Sequence, residues 1–206
     1  MQLTAPFSGD RSSIVSSNYA GAALAVVLAL WTAATTAASW KNGLQLVPAP
    51  VLVPPVTAAL LMALWTVPGL RTWRRAIPLR WLILVHVTRF VGFYFLALAG
   101  RGELSRTFAL PAAYGDIAIA SGAVLIGAFC VPPSTATRRG VMRLWNALGL
   151  ADMLFVVGTA AYLTRTAPAS MLPLSRLPFV LLPALVVPLI IVSHVVLFAR
   201  LSRPGD

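Results

Sequence analysis

Residues 81–99 read WLILVHVTRFVGFYFLALA, an apolar run with a cation near its middle, and few folds can accept such a segment. The run is long enough for a helix to cross the roughly 30 Å hydrocarbon layer of a bilayer. It nevertheless contains His86 and Arg89, one helical turn apart and so on one face. A cation at that depth costs about 2.5–3.5 kcal/mol on insertion scales, so Arg89 has to face protein, water or a partner group rather than lipid. The rest of the chain must supply that partner.

Composition extends the argument to the whole chain. Of 206 residues 59% are hydrophobic and 10% charged, against about 25% charged in soluble domains, and the mean hydropathy is +0.85. These values define an integral membrane protein with a single helical core. The sixteen Lys and Arg residues outnumber five acids, but they fall in short clusters between apolar runs. That pattern signals membrane topology and excludes a nucleic-acid surface. Cys130 is the only cysteine, which excludes an intrachain disulfide and a cysteine-based metal cluster.

The expected fold is all-α, a polytopic transmembrane bundle of about six spans at 19–40, 44–68, 81–99, 111–131, 141–163 and 177–201. Residues 1–18 form a polar N-terminal segment expected to be poorly ordered, and 202–206 a short tail. Span one is too long for a signal-peptide core, typically about 7–15 residues, although Ala37-Ala38-Ser39 resembles a weak cleavage site. Pro48, Pro50, Pro54 and Pro55 break span two. Residues 45–53 are expected to be extended or re-entrant, with a short helix starting at Pro54 or Pro55. In span six, Pro183 and Pro188 free the carbonyls of Phe179 and Ala184, predicting a kink or regular helix only from Pro188. Ten basic residues in loops and tails fall on one side of this arrangement and five on the other. The positive-inside rule then predicts a plasma-membrane protein with both termini cytoplasmic and the arginine cluster of 69–80 in a cytoplasmic loop.

Counting depth at about 1.5 Å per residue, His86, Arg89, Asp152 and His194 fall into the inner half of the bundle and can form one cluster. Arg89 with Asp152 reads either as a structural ion pair or as an anion or proton site in which Asp152 titrates. Asn146 and Gly149 share the face of Asp152, the first as a hydrogen-bonding group and the second allowing close approach. His86 and His194 read either as axial ligands of one haem b or as two interfacial histidines. Cys130 is the only soft candidate for a further metal ligand, and plain burial accounts for it as well. Asp116 stands apart, five residues into span four, as a first-turn stabiliser, or as an external gate or second acid with Arg101 or Arg106. No nucleophilic triad, P-loop, dinucleotide fingerprint or zinc-protease helix is present.

Residues 108–117 (FALPAAYGDI), 145–153 (WNALGLADM) and 182–197 (LPALVVPLIIVSHVVL) resemble a group of small, uncharacterised bacterial multi-pass membrane proteins. The likeness covers about the second half of the chain. It implies a bacterial plasma-membrane protein and draws attention to Asp116, Asp152 and His194. A looser similarity to six-helix substrate-binding subunits of vitamin transporters rests on size, span count and the alanine-rich first span.

The leading expectation is a bundle that binds or moves a small solute or protons through an inner cavity built from spans two, three, five and six. Arg89 would hold an anionic group, Asp152 would titrate, and His86 and His194 would line the exit. The alternatives are a membrane-embedded enzyme acting on a lipid or isoprenoid through Asp152 or Asp116, a haem protein, or a structural subunit. Expected partners are membrane lipids and the solute or lipid substrate, together with a membrane-protein partner or a second copy.

Overall fold

A computed structural model of the protein describes residues 9–40 and 49–202. Among them are eight α-helices and no strand. Val15–Trp40, Leu79–Gly100, Arg106–Phe129, Ala136–Thr166 and Leu182–Leu201 are each long and apolar enough to cross a membrane. A sixth span is reached when the bent pair Val53–Thr66 and Pro68–Ala76 counts as one. The all-helical bundle of about six spans is therefore present, with several differences at its ends and breaks.

Helix α1 (Gly9–Trp40) starts well before the expected residue 19. Its early turns have a surface to pack on: Ala20 and the Ser16 carbonyl lie against Gly69, and Gly21 lies against the Trp73 indole. Residues 1–8, 41–48 and 203–206 lie outside the described residues, and with them the start of the polar segment, Lys41, the 45–48 part of the expected extended stretch and most of the tail.

Ala49–Leu52 is a 3₁₀ turn rather than extended chain. Helix α2 (Val53–Thr66) follows with its two prolines in the first turn, where their missing N–H groups cost no helical bond. Val67 is extended, as the residue before a proline tends to be. Pro68 then opens α3 (Pro68–Ala76) at 95° to α2. The expected basic loop is thus largely a helix. Arg74 in it is buried: its Nε donates to the Leu64 carbonyl at 3.0 Å and its guanidinium lies 4.1 Å from the Trp65 ring centre. It satisfies a carbonyl in the last turn of α2, which the broken helix would otherwise leave open.

Span three is not one α-helix. It is α4 (Leu79–Leu84), a seven-residue 3₁₀ segment (Val85–Val91) and α5 (Gly92–Gly100). Helix α6 (Arg106–Phe129) begins five residues before the expected 111 and takes Pro111 into its second turn, where only the bond to the Thr107 carbonyl is forgone. Helix α7 (Ala136–Thr166) starts at Thr135, whose side chain accepts from the Arg138 N–H at 3.2 Å.

In span six, Pro168–Ser175 is a 3₁₀ stretch, Leu182–Val186 a π-helical turn, and regular α-helix, α8 (Val187–Leu201), resumes one residue before Pro188. Both carbonyls freed by proline find donors. The Leu182 N–H reaches Phe179 at 3.0 Å, and the Trp31 indole N–H crosses from α1 to the Ala184 carbonyl at 2.8 Å. Trp31→Phe removes that donor from a fully buried carbonyl, so thermal unfolding in nanodiscs should show a loss of about 1 kcal/mol.

Of the three apolar clusters in the bundle, the two larger ones hold its ends. One lies toward the arginine-rich end and includes Leu64, Ile83, Met142 and Leu197; the other lies toward the opposite end and includes Phe95, Phe108, Ala160 and Met171. The buried side chains of His86, Arg89, Asp116, Asn146, Ser193 and His194 sit between them, beside the third cluster of Val53, Met153, Ile190 and Ile191.

Candidate functional site

Arg89 comes from the 3₁₀ segment, Asp116 from α6 and Asp152 from α7, each near the middle of its span. Three residues make one 3₁₀ turn, so the side chains of His86 and Arg89 stack nearly in line and point into the bundle together. Arg89 is 1% exposed and uses all three of its nitrogens. Its Nε donates to Asp116 Oδ1 at 2.7 Å, its Nη1 to the Gly149 carbonyl at 3.2 Å, and its Nη2 to Asp152 Oδ2. The fork geometry of a guanidinium suits such a hub, which a lysine could not form.

Asp116 is therefore neither in a first turn nor at the external end of its span. Because α6 starts at Arg106, Asp116 lies in the third turn, about 15 Å along the helix, and joins Arg89 and Asp152 in a triad. Arg101, offered as its partner, pairs with Glu103 at 3.2 Å on the surface. Asp116 is buried, whereas the Asp152 side chain is 20% exposed. Asp152 lies so close to Gly115 of α6 that a side chain at that position would have to displace its carboxylate.

Toward the arginine-rich end, His86 and His194 are both fully buried, with ring centres 4.2 Å apart. A Cβ at Gly149 would meet His194 Cε1 at 2.6 Å, so this glycine admits the ring, as its position on the face of Asp152 suggested. The protonation pattern follows from the neighbours. Asn146 Nδ2 donates to the His194 carbonyl at 3.0 Å, which turns Asn146 Oδ1 toward His194 Nδ1 at 2.8 Å. A carbonyl oxygen only accepts, so His194 carries its proton on Nδ1. Ser193 spends its one hydroxyl proton on the Ile190 carbonyl at 2.7 Å, so it accepts from His86 Nε2 at 3.0 Å. The remaining nitrogens, His86 Nδ1 and His194 Nε2, are buried and have no hydrogen-bond partner among the described residues.

The haem reading does not fit this arrangement. Two metal–nitrogen bonds of about 2 Å each already separate axial nitrogens by roughly 4 Å, with each ring centre farther out, while these ring centres are 4.2 Å apart and the rings touch. Among the described residues no group of three or more His, Cys, Asp or Glu side chains could hold a metal ion. Cys130 is half-buried and packs beside the apolar cluster at the arginine-rich end.

A cavity of about 70 Å³ begins at Arg89 and Asp116, several times the roughly 10–15 Å³ that one water needs. It extends away from the arginine-rich end, between Phe95, Phe108, Ala160, Leu174 and Leu182. Its walls come from the expected spans two, three, five and six and from span four as well, and it lies across the triad from the two histidines, Trp145 and Ser193. Trp145 and Ser193 were not singled out from the sequence. Trp145 packs edge-on to His86 at 5.1 Å and donates to the Ile119 carbonyl at 3.1 Å. Ser193 did carry a signal, as a polar residue beside His194 in an apolar run.

Fold and site together define a class: a small helical bundle of membrane-spanning type organised around one buried arginine–dicarboxylate cluster. Residues 46–202 match the model of a family described as Domain of unknown function (DUF8737), and the chain belongs to that family. The matched stretch holds every residue of the cluster and omits α1. Neither the curated proteins nor the solved structures contain a match to the chain.

Proposed function

We propose that this protein is a bacterial multi-pass plasma-membrane protein, with its arginine-rich end in the cytoplasm, that binds and translocates protons, alone or with a small solute. The observation that carries the reading is an excess of acceptors in a buried site. Arg89 is one cation between two carboxylates, so the ionised triad has a charge of −1. Beside it are two imidazoles whose N–H groups are satisfied and whose basic nitrogens are bare. One proton on a carboxyl brings the triad to neutrality, which a low-dielectric site favours strongly. This charge count argues against Arg89 as a receptor for an anionic solute, since two carboxylates already outnumber its single charge.

Asp116 and Asp152 would take up and release the proton, and His194 and His86 would connect it to the arginine-rich end. In proteoliposomes holding a pH dye, an imposed potential should drive proton flux that falls to the level of protein-free vesicles in Asp152→Asn with normal expression. Infrared spectra of the lipid-embedded protein should show a protonated-carboxyl band that disappears in Asp116→Asn or Asp152→Asn. Wild-type spectra with no such band at any pH between 4 and 9, together with no flux, would remove the reading. The apolar cavity favours a second reading, a membrane-embedded enzyme acting on a lipid or isoprenoid with Asp116 as the acid or base.

A further inference from the structure

The walls of the cavity and its floor differ in chemistry. Val53, Phe95, Phe108, Met153, Val186 and Ile190 give it apolar sides, and the polar groups of Arg89 and Asp116 meet at one end. Asp116 Oδ1 is engaged by Arg89, while its Oδ2 has no hydrogen bond among the described residues. Three of the five N–H groups of Arg89 are committed to Asp116, Gly149 and Asp152, and the two carboxylates outnumber its single charge. The floor therefore offers a hydrogen-bond acceptor of negative character in apolar surroundings.

The cavity also reaches the bundle surface. Of its lining residues Thr88 is exposed, and Val91, Val157, Val186 and Val187 are half-buried. Thr88 precedes Arg89 in the middle of span three, so the mouth lies at mid-bundle depth, where the surroundings of a membrane-spanning protein are hydrocarbon. The Thr88 hydroxyl is turned back onto the Val85 carbonyl at 2.7 Å, leaving an apolar rim.

From this geometry we infer that the cavity is a lateral binding site for a membrane-dissolved molecule with an aliphatic chain and a hydroxyl or ammonium head, the head donating to Asp116. The chain lies between Val186 and Met153 and leaves past Thr88. This assignment rests on the charge count of the triad used for the proton reading. It adds the ligand's chemical class and its route of entry.

The test uses the full chain in phosphatidylcholine nanodiscs with dodecylamine carrying a diazirine a few carbons from the nitrogen. Photolabel should appear in the peptides holding Met153 and Val186. Unlabelled dodecylamine and 1-dodecanol should compete at least about tenfold better than dodecanoate, the preference expected of a buried charged acceptor. Asp116→Asn should reduce the advantage of the amine over dodecanoate by about tenfold while 1-dodecanol still competes. Should that variant misfold, Val186→Phe leaves the triad intact, fills the cavity and should abolish the labelling. Label confined to lipid-facing residues such as Leu154 and Phe155 would overturn the site, and equal competition by dodecanoate would overturn the head-group chemistry. Either failure is distinct from loss of the infrared carboxyl band, which bears on the proton reading alone.

Discussion

Arg89→Leu should leave no stably folded protein. The substitution strands two carboxyl groups in the middle of the bundle, one buried and one mostly so. Removing one partner from a buried ionic set costs about 3–5 kcal/mol, a large part of the roughly 5–15 kcal/mol that stabilises an ordinary domain. The Gly149 carbonyl loses its side-chain donor as well. The measurement is the yield of monodisperse protein in detergent and the midpoint of its thermal unfolding. The triple variant Arg89→Met, Asp116→Asn, Asp152→Asn should recover most of the folded yield, because it removes the whole charged set while nearly keeping volume. A stable, monodisperse Arg89→Leu would mean that the triad does not hold the bundle.

Gly149→Ala and Gly158→Ala should shift stability in opposite directions although both lie in α7. At Gly149 a methyl group would stand 2.6 Å from His194 Cε1, 3.1 Å from its Nε2 and 3.2 Å from Ile119 Cγ2, so either the ring or the helix must move. Overpacking of this kind costs about 1–3 kcal/mol, and a larger side chain such as valine should cost more. Displacing His194 would also break its bond to Asn146. At Gly158 nothing lies within 4 Å of the new methyl, and helix propensity alone should stabilise by about 0.5–1 kcal/mol. Parallel unfolding curves in one lipid system check the sign of each change.

Much of the site was legible because charge in hydrocarbon is costly. That rule picked out Arg89 and Asp152 and required a partner for the arginine; His194 with Asn146 followed from depth along the spans. Asp116 was misplaced for a local reason. Pro111 suggested a helix start, and moving the start back to Arg106 carries Asp116 from the first turn into the third. Periodicity does not encode how far a helix extends beyond a proline in its early turns. The arginines show a second limit. Arg74, Arg143 and Arg200 counted as topology signals, yet each donates to a backbone carbonyl, those of Leu64, Leu201 and Ile77 respectively. Their positions mark one end of the bundle, while their contacts also tie helix ends together there. The proline breaks were readable as the loss of particular carbonyl partners, but that an indole from α1 replaces one of them depends on tertiary placement.

The winding of span three has a mechanical consequence. A 3₁₀ segment turns about 120° and rises about 2.0 Å per residue, against about 100° and 1.5 Å in an α-helix. Over the seven residues from Val85 to Val91, conversion to α-helix would shorten the span by about 3.5 Å and rotate α5 against α4 by about 140°. Arg89 sits inside this segment and reaches carboxylates on two other helices, so such a rewinding would have to break those contacts or drag α6 and α7 with it.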